Sequence, residues 1–188
     1  MLNLALVAVA VAIAIGVWLT RGRRSAHPNR SDVYHGLRNR ALQASREKFG
    51  VPAPTPASAP WGVVMDWGTP SGSVTIVAIS DGNASVYLST GGGYLGGGAS
   101  SEPIRAAARS AVDVAVRCQP QAHPTAEFPL PGPGEVIFYL LTDAGVLVIR
   151  ASEPAVRDGA GALTDLANRM QSIVTLYRTN KNKGGTAK

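Results

Sequence analysis

The sequence contains few of the residues that most catalytic and metal-binding sites need. It has one cysteine and three histidines among 188 residues. Cys118 has no partner for an internal disulfide, which weakly favours a reducing compartment. His27, His35 and His123 lack cysteine, aspartate or a third histidine at metal-ligand spacing. No spacing of serine, cysteine and histidine indicates nucleophilic catalysis, so we expect no enzyme, no cofactor and no metal ion.

The folded part of the chain also lacks a net positive charge. Residues 1–60 carry a net charge of +6, residues 61–178 carry −3, and residues 179–188 carry +3. A nucleic-acid-binding domain needs its basic patch on the fold itself. We therefore expect no nucleic-acid partner.

The longest apolar run lies at the N-terminus. Leu2–Thr20 is nineteen uncharged residues, roughly 28 Å long as a helix, against about 30 Å for a bilayer core. Trp18 suits the headgroup layer, and three arginines follow: Arg21, Arg23 and Arg24. The pattern predicts a transmembrane anchor with a basic stop over residues 1–24. A cleaved signal peptide and a buried core helix are the alternatives, although a signal peptide carries its positive charge before the apolar run.

The arginines also predict an orientation. Basic residues next to a span stay on the cytoplasmic side. We therefore expect the N-terminus outside, the rest of the chain in the cytoplasm, and the protein in the cell (inner) membrane with the lipid bilayer as a partner.

Residues 25–50 are expected to be a basic juxtamembrane segment, and the pattern predicts a helix over Ser31–Phe49. Its apolar stripe is thin and lies beside an arginine-rich face: Val33, Leu37, Ala41 and Ala44. This helix either lies on the inner leaflet or packs on the domain or on a partner. Residues 51–60, VPAPTPASAP, are a Pro-rich linker, which either holds the domain off the membrane or lies along its surface.

The pattern of residues 61–178 predicts one globular α+β domain. Five strands are expected at residues 62–67, 74–79, 85–88, 136–141 and 146–150, and two helices at residues 102–118 and 163–177. Tight turns favour a mostly antiparallel five-stranded sheet of order βββ-α-ββ-α, with the helices packed on one face and a transmembrane helix before it. Residues 179–188 are expected to be a basic disordered tail. Asp66 lies within the first strand, where a hydrogen bond to turn backbone is the simplest role for its carboxylate.

Three segments of this domain carry a resemblance. WGVVMDWG, DGNASVYLSTGGGYLGGG and GEVIFYLLTDAG look like segments of an uncharacterised group of bacterial proteins. The resemblance covers most of residues 61–150, and it implies no activity.

The Gly-rich stretch from Ser89 to Gly98 is the one candidate ligand loop. Gly91, Gly93 and Gly96 satisfy G-x-G-x-x-G between a strand and a helix. The strand belongs to a hairpin, and the helix begins several residues too late for a dinucleotide site. A structural loop, a protein contact and phosphate binding all remain open interpretations.

Two functions from different classes fit this pattern. The first is a membrane-anchored, non-catalytic interaction or scaffold domain that positions a protein partner at the inner membrane face. Tyr94, Phe128 and Pro131 are its candidate contacts, because long loops often bind partners. The second is a membrane-tethered sensor that binds a small ligand or nucleotide with residues 91–98.

Overall fold

The computed structural model describes residues 29–54, 56 and 58–185. The predicted anchor, residues 1–24, lies outside these residues. Within the part that is described, no helix combines the length and the apolar character needed to cross a bilayer.

The described chain alternates short hairpins with helices. The α-helices are α1 (Arg30–Leu42), α2 (Glu102–Cys118), α3 (Glu153–Arg157) and α4 (Ala162–Gly185). The strands are β1 (Gly62–Thr69), β2 (Gly72–Ile79), β3 (Ala84–Leu88), β4 (Gly93–Tyr94), β5 (His123–Thr125), β6 (Glu135–Thr142) and β7 (Gly145–Ser152). Short 3₁₀ turns lie at Arg46–Phe49, Gly97–Ala99 and Gln119–Gln121.

The strands form one antiparallel sheet of seven strands in the order β4-β3-β2-β1-β6-β7-β5. The prediction of five strands is therefore wrong. The two additional strands are very short and lie at the two edges of the sheet. β4 lies in the Gly-rich loop, and β5 contains Pro124, which an edge strand tolerates because its N–H is not needed for the ladder.

Helices cover both faces of the sheet. The two helices predicted for the domain share one face, and the segment before the domain adds a helix on the other face. Helices α2 and α4 pack against one face, with Met65, Phe138 and Met170 in that core. Helix α1 packs against the other face, where Tyr34 and Leu42 contact a cluster that includes Tyr139. Strands buried on both faces explain the nearly continuous apolar runs of β1, β2 and β6.

The segment before Trp61 belongs to this folded unit. Helix α1 ends at Leu42 and is followed by the 3₁₀ turn at Arg46–Phe49, where one helix was predicted over Ser31–Phe49. In the Pro-rich segment, Val51, Ala59 and Pro60 are buried, so this segment lies along the domain. At the other end, α4 continues through residues 179–185, which were expected to be disordered.

Candidate functional site

In the Gly-rich loop, several backbone amides already donate hydrogen bonds within the protein. The Gly91 N–H donates to the Leu88 carbonyl at 2.9 Å, and the Gly96 N–H donates to the Ser85 hydroxyl at 3.2 Å. The Gly97 N–H donates to the Tyr177 hydroxyl at 2.7 Å. A phosphate cradle needs amides that point at the ligand. This arrangement favours the structural interpretation of the loop; phosphate binding stays a prediction.

Two kinds of constraint explain why glycines are needed here. Gly91, Gly92 and Gly96 have φ values of +103°, +86° and +63°, which side chains rarely adopt. A Cβ at Gly93 would overlap the Val86 carbonyl, and a Cβ at Gly98 would overlap the Gly82 carbonyl. The loop therefore uses its glycines for backbone geometry and close approach.

Tyr94, a predicted contact residue, packs against helix α4. Its ring stacks on that of Tyr177 with centroids 4.8 Å apart and an interplanar angle of 15°. The Tyr177 hydroxyl donates to the Ala84 carbonyl at 2.6 Å, and burial raises the pKa of this hydroxyl. A wide polar cleft of about 600 Å³ opens beside the pair, next to Ser101 and Asn180. Tyr94 thus has a packing role, on the opposite side of the sheet from α1.

Phe128 and Pro131, the other predicted contacts, lie in a connection that is pressed onto the sheet. Pro131 is buried, and Phe128 is half-buried with its ring 5.6 Å from that of Tyr139. The backbone carbonyls of Phe128 and Pro129 both accept hydrogen bonds from Arg38, at 3.0 and 3.1 Å. The structure therefore brings Phe128 together with α1, places Pro131 beside Gly68 of β1, and places Tyr94 elsewhere.

A buried ion pair, which the sequence pattern did not reveal, joins α1 to the centre of the sheet. Arg38 donates to the Asp66 carboxylate through Nε at 2.8 Å and Nη2 at 2.6 Å. The Asp66 side chain is 0% exposed. Thr75 donates to the other carboxylate oxygen at 2.5 Å, and the Tyr34 and Thr75 hydroxyls lie 2.9 Å apart. The prediction that the Asp66 carboxylate accepts a hydrogen bond from turn backbone is therefore wrong: its donors are the side chains of Arg38 and Thr75.

Both charges of this pair are buried away from solvent. Burial raises the pKa of the Asp66 carboxyl, whereas the hydrogen bonds and charge of Arg38 and the Thr75 hydroxyl act to lower it. The Arg38 guanidinium also lies 5.7 Å from the centre of the Tyr139 ring. An isolated charge in an apolar strand needs a buried counter-charge, so Asp66 itself was the signal in the sequence. The sequence does not specify which arginine pairs with Asp66.

Burial of Arg38 divides the predicted apolar stripe of α1: Ala41 is buried, Leu37 and Ala44 are partly buried against the core, and Val33 faces solvent. The buried residues of α1 are Tyr34, Arg38, Ala41 and Leu42. Val33 is 44% exposed and Leu37 is half-buried. The side of α1 that carries Val33 and Leu37 therefore forms one wall of a surface groove.

We call this groove the α1–β3 groove. It consists of two adjoining cavities, of about 180 and 140 Å³, which share Leu37 and Tyr87 in their walls. Val33 lies at one end, and Phe49, 36% exposed, lies at the other. Gly91 and Gly92 close the Val33 end, so one of the predicted ligand-loop residues, Gly91, does line the groove. Gly93 and Gly96 do not line either cavity.

The charged side chains that line the groove are both basic. Arg30 lies at the Val33 end and Arg40 at the Phe49 end, and both are exposed. No acidic side chain of the described ranges is within ion-pair distance of either guanidinium. The groove is thus apolar along its length and positive at both ends.

The cysteine and histidine side chains of the described residues do not form a metal site. No cluster of three metal-ligating side chains occurs among them. Cys118 is the buried last residue of α2, and burial raises its thiol pKa to about 11. His35 and His123 are exposed.

These features define a three-layer α/β/α domain with an apolar, basic-ended groove. No family model matches the chain, and no curated protein or solved structure is significantly similar to it. The resemblance to a bacterial protein group therefore stays a prediction.

Proposed function

We propose that this chain is a non-catalytic interaction protein whose domain binds a protein partner in the α1–β3 groove. The observation that supports it best is the exposed apolar stripe of α1. Val33 is 44% exposed, and together with the half-buried Leu37 it lines a continuous groove with Phe49 at its far end. Exposed apolar surface next to basic groups is typical of binding sites for other proteins.

The second part of the proposal, position at the inner membrane face, rests on the amino-acid sequence. Thr20 ends the apolar run, and residues 21–29 separate it from the start of α1 at Arg30. Nine extended residues reach at most about 30 Å. A run that lies in the bilayer would therefore keep the groove close to the membrane surface, whereas the Pro-rich segment follows α1 and adds no distance.

Affinity purification of the full chain in mild detergent tests the binding role. We expect a specific partner that is lost with the double variant Val33→Asp/Phe49→Asp and retained with Val116→Asp. Val116 is exposed on α2, on the opposite face of the sheet, so it is a matched control. Equal recovery with all three chains would place the binding elsewhere, and no specific partner in any of them would refute the proposal.

The membrane position has its own test. Reporter fusions after Lys188 should give cytoplasmic activity, and the chain should remain in the membrane fraction after a high-salt wash. Recovery in the soluble fraction, or high periplasmic phosphatase activity, would refute the membrane part and leave the binding role standing.

A further inference from the structure

The α1–β3 groove lies on the face of the sheet that carries fewer helices, and each of its two cavities, of about 180 and 140 Å³, has room for an apolar side chain. On the opposite face of the sheet, α2 and α4 lie side by side in one core. On the groove face, α1 is the one α-helix among the described elements. Its Tyr34 side chain lies in the same core cluster as Tyr139 of β6. The groove runs between α1 and β3, and residues of both elements line each of its cavities.

The spacing of the two cavities agrees with a helical occupant. Arg30, Val33, Tyr34 and Leu37 of α1 line one cavity, and Leu37, Arg40 and Ala41 line the other. Their centres are therefore about six residues apart along α1, or roughly 9 Å at about 1.5 Å per residue. A helix places side chains at positions i and i+7 on one face about 10 Å apart, which brings one apolar side chain to each cavity.

The charges of the groove select the kind of helix. Arg30 and Arg40 are ten residues apart, so they flank roughly three turns of a helix that lies along α1. Both lie where the rim of the groove meets solvent, beyond the apolar lining. Acidic side chains at the rim of an occupant would meet these guanidinium groups, which steers association and suppresses basic competitors.

We propose that the α1–β3 groove binds an amphipathic helix of a partner protein, with apolar residues at i, i+3 or i+4, and i+7 and with acidic residues on its flanks. This inference rests on the proposed function and names its partner chemistry. The chain's own apolar run, Leu2–Thr20, is the competing occupant. It carries no acidic residue and is followed by Arg21, Arg23 and Arg24, so it does not complement Arg30 and Arg40.

Site-specific photocrosslinking in the full chain tests this inference. Benzoylphenylalanine is placed at Val33 in the groove and, in a second chain, at Val116, which has a matching exposure of 42% against 44%. The crosslinked peptides are then identified by mass spectrometry. We expect Val33 to capture one segment with acidic residues and helical apolar spacing, and Val116 not to capture it.

Charge reversal provides the quantitative arm. In the chain labelled at Val33, Arg30→Glu/Arg40→Glu should lower the crosslink yield at least fivefold, whereas Arg169→Glu on α4 should leave it unchanged. Both groove arginines are exposed, so circular dichroism should show an intact fold. A matching synthetic peptide should bind the full chain and lose affinity when its acidic residues become lysine.

Each other outcome overturns the inference in a distinguishable way. Crosslinks from Val33 to residues 1–28, to a second copy of the chain or to lipid would assign the groove a different occupant. Capture of a basic or extended segment would retain the binding role and refute the acidic helix. Products from Val116 alone would move the binding surface, and no protein product from either position would refute the proposed function as well.

Discussion

Arg38 and Asp66 place two opposite charges in the middle of an apolar layer. The guanidinium has 3% of its side-chain surface exposed and the carboxylate 0%, so removal of either partner leaves the other as an unpaired buried charge. We expect Asp66→Ala or Arg38→Met to lower the free energy of unfolding by about 3–5 kcal/mol. Urea unfolding followed by tryptophan fluorescence measures this change.

The double variant Arg38→Met/Asp66→Leu separates pairing from packing. We expect it to be more stable than either single variant, since no charge is then left without a partner. Arg46→Met is the surface control. Its bridge to Asp143 is partly exposed and screened by solvent, so we expect a much smaller loss than for either residue of the buried pair. If the two single variants cost no more than Arg46→Met, the pair does not hold α1 in place.

Cys118 should be inert while the chain is folded. It is 0% exposed, and burial raises its thiol pKa to about 11. Only about one thiol in a thousand would then be the reactive thiolate at pH 8. We expect iodoacetamide to modify Cys118 in urea at a normal rate and the native chain at least a hundredfold more slowly. Equal rates would show that the α2 side of the core opens readily.

At the scale of elements, two glycines whose φ lies outside the left-handed region should respond to an alanine substitution with opposite changes in stability. Gly36 lies on the exposed side of α1, where an added Cβ would have no heavy atom within 4 Å, whereas a Cβ at Gly98 would overlap the Gly82 carbonyl. We expect Gly36→Ala to raise the free energy of unfolding by about 0.5–1 kcal/mol. Gly98→Ala should lower it by about 2–3 kcal/mol, because backbone must move.

Chemical denaturation of both variants checks this pair. The Gly36→Ala gain appears in global unfolding only if α1 unfolds together with the sheet. An unchanged midpoint for Gly36→Ala would mean that α1 detaches before the rest of the domain unfolds.

Several elements could be predicted from the sequence because their signals are local. Helix α2 has the predicted bounds, Glu102–Cys118, since Pro103 lies in its first turn and its apolar stripe is regular. The Asp81-Gly82-Asn83 turn and the turn at residues 142–145 place β2, β3, β6 and β7 within two residues of their observed ends. Strands β4 and β5, of two and three residues, have no such signal because pairing with a neighbouring strand creates them.

The position of α1 could not be predicted, because the decisive contact is not local. Helical spacing selected Val33, Leu37, Ala41 and Ala44 as the apolar stripe, and it did not select Arg38 as a buried residue. Arg38 is instead turned inward by Asp66, which is 28 residues away in sequence. The same long-range pairing explains why the sequence pattern pointed to Tyr94, Phe128 and Pro131 as contacts and not to the α1–β3 groove.

For the whole molecule, the structure sets the minimum length of the folded unit. A chain that starts at Trp61 would lack Arg38 and Tyr34, expose the cluster around Tyr139, and leave Asp66 unpaired. We expect residues 61–185 to aggregate or to bind the dye ANS. Residues 29–185 should show cooperative unfolding, because they contain both faces of the sheet together with α1.

Size-exclusion chromatography and thermal denaturation of the two truncations measure the difference. Cooperative, monomeric behaviour of residues 61–185 would show that the α1 layer is dispensable. In that case a partner could displace α1 from the sheet instead of lying beside it.

The contacts of Arg38 also bear on the order in which the protein assembles during synthesis. Its carbonyl acceptors at Phe128 and Pro129 are 90 and 91 residues further along the chain. At roughly 5–20 residues per second, the ribosome makes them about 5 to 18 seconds later. A thirteen-residue helix is marginal by itself in water. The first described helix to be translated is thus among the last to dock. Its apolar side chains therefore stay accessible to chaperones for several seconds.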